Sequence, residues 1–159
     1  MRFEGMNHII IIGWSEKAKA AVQEIIKIDQ TIDIVVINNA ERAPVIEEQE
    51  RLIYIGGNAT DEEILLHANL PKSKGILIFA EERIQANYSI KDSLLVDGKT
   101  LLVATVITLM KEKMNLPVPV IAEITSHQHI QLFKDVKVNE FILTKGIISS
   151  KIVKSLFPA

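Results

Sequence analysis

The chain has 159 residues, 48% of them hydrophobic and 24% charged, with a net charge of −2 and no cysteine. That length and balance fit one folded domain able to bury roughly 70% of its unfolded surface, and they exclude a disordered tail. They also exclude nucleic-acid binding by phosphate neutralisation, a disulfide scaffold, a thiolate zinc site and a cysteine nucleophile.

Residues 1–6 form a short polar lead without a signal-peptide pattern. No apolar run reaches about 18 residues, so no bilayer-spanning segment is expected. The first apolar run, Ile9–Ile12, reads as a strand. A helix follows, with Ser15 as its N-cap and Ala18, Ala21, Val22, Ile25 and Ile26 on one stripe. Ile34–Ile37 is the second strand, and Glu41 to Gln49 reads as a short acidic helix. Leu52–Ile55 is the third strand, followed by a helix opened by the capping box Thr60–Glu63 and closed at Asn69-Leu70-Pro71. Ile76–Phe79 is the fourth strand.

From Glu81 to Asp97 the sequence is polar and irregular, and Asp97-Gly98 carries a turn signal. A helix is expected from about Lys99 to Lys113, apolar almost all round, so one face covers the sheet and the other needs a partner. Val118–Ile121 is the fifth strand, with a capping-box pattern at Thr125-Ser126-His127-Gln128 and a helix behind it. Phe141–Leu143 is the sixth strand, and a last helix runs from about Gly146 to Leu156.

The strand runs are continuous and β-branched, the pattern of strands covered on both faces. Strand and helix alternate throughout, and right-handed crossovers then give an α/β, Rossmann-like, doubly wound parallel six-stranded sheet in a single domain. In such sheets a ligand lies beyond the carboxyl ends of the strands. The residues to examine there are Gly13, Trp14, Ser15, Asn38, Gly57, Asn58, Ala80 and Glu123.

The turn Gly13-Trp14-Ser15-Glu16-Lys17-Ala18 keeps one glycine of the dinucleotide fingerprint. The following helix offers free N–H groups to an anion. Glu16 opposes a phosphate there, and a plain strand-to-helix turn with a serine cap accounts for the same residues. Asn38 stands where an acid commonly holds ribose hydroxyls, and it equally suits a turn. Gly56-Gly57-Asn58 permits close approach of a flat ligand or a left-handed turn. Glu123 is a candidate ligand for a ribose or a cation, or a partner of the next helix N-terminus. Glu81 and Glu82 read as a solvated loop. His127 and His129 are two apart and point to different helix faces, and all four histidines read as structural or surface residues. No Ser-His-Asp, paired-carboxylate or Walker pattern is present, so no enzymatic activity is expected.

The run Asn7–Glu16 resembles the opening of RCK domains (regulator of K+ conductance, TrkA-N type). Tyr54–Leu65 is similar to the family's G-D-A-T-D-E-E-x-L segment, with Asn58 in place of Asp. Ala68-Asn69-Leu70, Ile76–Phe79, Val120–Glu123 and Ile130–Phe133 continue the likeness to about Leu156. The resemblance implies a cytoplasmic domain at the inner face of the membrane. There it gates a potassium channel through ligand-dependent packing between domains. It implies a homodimer, and an octameric ring, through the helices around Leu101–Met110 and Ile130–Phe133, with a membrane-embedded pore domain as partner. The implied ligand is an adenine nucleotide or NAD, or a divalent cation such as calcium or magnesium. In calcium-gated relatives acids follow the fourth and fifth strands. Glu123 matches one, while Phe79 and Thr125 replace others, so an intact calcium site is not expected. Against that family, residues 7–145 correspond to the Rossmann-like lobe and residues 146–159 to a crossover helix cut short. Two alternatives remain: a nucleotide-binding regulatory subunit of a potassium uptake transporter, and an NAD-dependent oxidoreductase fragment.

Overall fold

The computed structural model describes residues 2–39, 51–81, 84–85, 88–89, 92–144 and 153–157. Six strands make one parallel sheet: β1 (Ile9–Ile12), β2 (Ile34–Asn38), β3 (Leu52–Gly56), β4 (Gly75–Ile78), β7 (Val120–Ile124) and β8 (Glu140–Leu143). Their spatial order is β3-β2-β1-β4-β7-β8. Every pairing within it is parallel. The order reverses between β1 and β4, and the crevice of such a fold opens there.

The continuous apolar runs are explained by two cores, one on each sheet face. Ile10, Ile12, Val35 and Ile76 face one core, with helix α2 (Glu62–His67) and helix α3 (Ser93–Met114). Ile9, Ile11, Val36 and Leu77 face the other, with helix α1 (Glu16–Ile28) and with Val153 and Leu156. All four residues of β1 are buried, because alternate side chains enter opposite cores.

Several expectations are corrected. Helix α3 starts at Ser93, capped by Asp92, two turns before Lys99. Asp97 and Gly98 therefore lie inside a helix and do not form a turn. The polar stretch before it contains a two-residue antiparallel pair, β5 (Ile84–Gln85) with β6 (Tyr88–Ser89). Val118 is outside the fifth sheet strand, which begins at Val120. Proline at 117 and 119 has no N–H to give to the ladder. The cap of α2 is Asp61, whose carboxylate accepts from the Glu63 N–H at 3.0 Å; Thr60 bonds Asn58 instead. The segment after β7 is a 3-10 helix, His127–Phe133, and Ser126 makes no side-chain cap bond. The expected helix at Glu41 to Gln49 lies outside the described residues, as does most of the one at Gly146 to Leu156.

Helix α3 also amends the reading of membrane spans. It has 22 residues and contains a window of mean hydropathy 1.6, long and apolar enough to cross a bilayer by length and composition. It nevertheless lies on the sheet, burying Ala104, Ile107 and Met110 in the first core. Its other side leaves Leu94, Leu95, Leu102, Leu109 and Met114 exposed.

The lead before β1 is strapped to the segment after α2. Phe3 N–H donates to the His67 carbonyl at 2.7 Å, and the Asn69 side chain donates to the Gly5 carbonyl at 2.6 Å. His8 is fully buried beneath the Phe3 ring, and its Nε2 bonds the Ala68 carbonyl at 2.7 Å. Its Nδ1 has no partner among the described residues. Burial lowers the His8 pKa below its ordinary value, outweighing the bond to Ala68 and the charge of Asp33. The unfolded chain then binds the proton better. The stabilisation is complete above about pH 6.5 and is lost as pH falls through the depressed folded value. His8→Gln is expected to flatten the slope of stability against pH below 6.5, a slope of at most about 1.4 kcal/mol per pH unit, in urea melts from pH 7 to 5.

Candidate functional site

Two adjoining crevices open above the carboxyl ends of the strands. The first, about 430 Å³, runs from Gly13 and Asn38 past Gly57, Asn58 and Thr60 to Lys99, Leu102 and Val103 of α3. The second, about 330 Å³, lies over the turn after β1 and reaches Ala80, Glu123 and Thr144. Gly13, Asn38 and Glu81 line both. Both volumes fall at the lower end of the range for small-ligand sites. All eight residues singled out from the sequence line one crevice or the other.

Gly13 has φ +93°, and a Cβ there would stand 3.3 Å from the Phe79 carbonyl oxygen. Glycine is therefore required both by the backbone conformation and by the closeness of β4. Gly57 has φ +155°, and a Cβ there would meet Ile64 Cδ1 at 2.6 Å, so a side chain would need both a strained backbone and a shift of Ile64. Trp14 packs against the second core at the crevice edge. Ser15 Oγ accepts from Ala18 N–H at 3.1 Å, so the serine is the cap of α1. Glu16 is exposed and paired with Lys19. The Asn58 side chain accepts from Thr60 N–H and Oγ1 at 2.9 and 2.8 Å and is committed to its own turn. Asn38 uses its carbonyl for Gly57 N–H and Tyr54 O–H, at 3.2 and 3.1 Å. Its carboxamide has no partner among the described residues, and the residue lines both crevices.

Glu123 takes a role the sequence did not reveal. It lies within β7 and is buried; Oε1 accepts from Ala80 N–H at 2.8 Å and Oε2 pairs with Lys17 at 3.0 Å. Lys17 also donates to the carbonyls of Leu143, at 3.0 Å, and Thr144. The ammonium thus ties the first turn of α1 to the ends of β7 and β8. A signal was available, because a lysine in a helix's first turn opposes the macrodipole and needs a fixed anionic partner. As a cation ligand Glu123 does not fit: both oxygens are engaged and an ammonium already neutralises it. Among the described residues no group of three His, Asp or Glu side chains could hold a metal.

A second buried carboxylate was also missed. Asp97 accepts from Thr125 N–H at 2.8 Å, Thr125 Oγ1 at 2.9 Å, Ser126 N–H at 3.2 Å and His129 Nδ1 at 2.5 Å. It fastens α3 to the turn after β7. His129 is thereby a structural partner, and His67 lies 3.9 Å from Glu63.

The fold has known counterparts. Residues 9–144 match the TrkA-N domain family. Half of the chain, 81 residues, is 28% identical to the "Putative potassium channel protein YugO" of Bacillus subtilis (strain 168) and spans 24% of that protein's length. The RCK domain of GsuK superposes with a TM-score of 0.65 at 19% identity, over 89% of this chain and 27% of that one. GsuK has been solved bound to NAD and bound to ADP, each with a TM-score of 0.66 at 16% identity. These cover 89% and 88% of this chain and 22% and 32% of theirs. The TrkA-N domain of the Escherichia coli inner membrane protein ybaL gives a TM-score of 0.63 at 21% identity, over 89% of this chain and 90% of that one. With nearly nine-tenths of its length in that fold and 136 consecutive residues in the family match, this chain belongs to the TrkA-N domain family.

Proposed function

We propose that this chain is a cytoplasmic regulatory domain of a potassium channel or potassium transporter that senses an adenine nucleotide or NAD. The observation that carries the reading is the crevice at the strand-order reversal, where Gly13, Asn38 and Gly57 line a cleft open among the described residues. The free carboxamide of Asn38 suits ribose hydroxyls, as donor and acceptor. NAD and ADP are bound by GsuK, a protein of the same fold, which supports this ligand class. The reading is one of binding, and among the described residues no nucleophile and base are paired along the rim.

The exposed leucines of α3 supply the means of output. A second copy packed on that face makes a dimer in which domain packing responds to the crevice. A ligand shifts such an equilibrium only by its unequal affinity for the two packings.

Thermal melts test the ligand class. ADP or NAD present at 100 times its Kd should stabilise the native state by about 2.7 kcal/mol. For a chain of this size that raises Tm by roughly 5–10 °C. Calcium and magnesium should leave Tm unchanged. A melt unmoved by ADP, AMP, ATP, NAD and NADH at millimolar concentration contradicts the reading.

A further inference from the structure

The two crevices differ in the charge along their walls. In the second, the charged residues among those described are Glu16, Lys17, Glu81 and Glu123. The Lys17 ammonium is already held by Glu123 and by the carbonyls of Leu143 and Thr144. Among the described residues lining that crevice, a phosphate finds no free cation.

The first crevice is different. Its charged lining residues are Glu81 and Lys99. Lys99 is half-buried on α3, beside the buried Thr100, and its side chain makes no hydrogen bond or ion pair among the described residues. It shares the crevice with Gly13, Asn38 and Gly57. A lysine in a partly desolvated wall, with no internal partner, attracts an anion more strongly than one in open water does.

We propose that Lys99 is the phosphate-recognising residue of this site, selecting nucleotides with a charged tail over a neutral nucleoside. The inference rests on the nucleotide reading above and adds its specificity determinant. The phosphate is met from α3, across the crevice, while the cation next to the glycine turn stays locked to β7 and β8. Without Lys99, the described residues of that crevice offer an anion no cation.

Calorimetric titration of the whole chain with ADP and with adenosine, at low and moderate salt, tests this. Lys99→Gln should weaken ADP about tenfold, the effect of losing one charge-assisted contact, and should flatten the salt dependence of ADP binding. Adenosine affinity should stay within about twofold, as for a surface change without structural consequence. Lys99→Arg should retain ADP binding, because it keeps the charge. Equal losses for ADP and adenosine would show a structural role, and unchanged ADP binding would show a bystander; either overturns the inference while leaving the nucleotide reading in place. A wild-type chain that binds neither ligand overturns both.

Discussion

Replacing Asp97 by Ala is expected to lower stability by about 3–5 kcal/mol, the range for stripping one partner from a buried charged network. The side chain is fully buried and accepts four hydrogen bonds from Thr125, Ser126 and His129. Its loss strands two backbone N–H groups at the end of β7. Asp97→Asn should be nearly as harmful. Oδ2 accepts from Thr125 Oγ1, Ser126 N–H and His129, so an NH2 group at that position faces donors. Urea denaturation measures both variants. A loss below about 1 kcal/mol for Ala, the size of an ordinary surface change, would show that α3 is held by its apolar contacts alone.

The second large effect concerns association. Leu95, Leu102 and Leu109 recur every seven residues and lie on one side of α3, exposed to 49%, 60% and 59%. Burying a leucine contributes about 1.5–3 kcal/mol. In a symmetric dimer each substitution acts twice. Leu95→Asp together with Leu109→Asp is therefore expected to weaken self-association by roughly 3–6 kcal/mol, allowing for partial burial, or about 10²- to 10⁴-fold. Neither residue lines a crevice, so the fold and ligand binding of the single chain should persist. Sedimentation should show the wild type as a dimer or larger and the double variant as a monomer. A wild type that stays monomeric at high concentration removes the proposed output face.

The four central strands were legible because each is buried on both sides, which leaves a continuous apolar run as its signature, and the half-buried edge strands β3 and β8 keep shorter runs of the same kind. Ile9–Ile12 and Ile34–Ile37 were placed to within one residue for that reason. The rim residues followed from topology, since parallel strands put Gly13, Asn38, Gly57 and Glu123 at one end of the sheet. Non-local chemistry was not legible. Asp97-Gly98 reads as a turn because local propensity cannot see acceptors and donors paired across 28 to 32 residues. Lys17 and Glu123 are likewise joined only by the fold, so the carboxylate that suited a ribose, a cation or a helix N-terminus is a lysine partner. Lys99 looked like the first residue of a helix, so its place on the crevice wall was hidden by an error in the helix start.

The central claim is that the crevice beside the strand-order reversal takes an adenine nucleotide. Amide NMR spectra of the labelled chain, recorded while ADP is added, test it most directly. Saturable shifts are expected at Gly13, Ser15, Asn38, Gly57 and Thr60, with the lower end of the sheet around Lys74 and Val118 unmoved. Shifts confined to that lower end, or none at millimolar ADP, would contradict it.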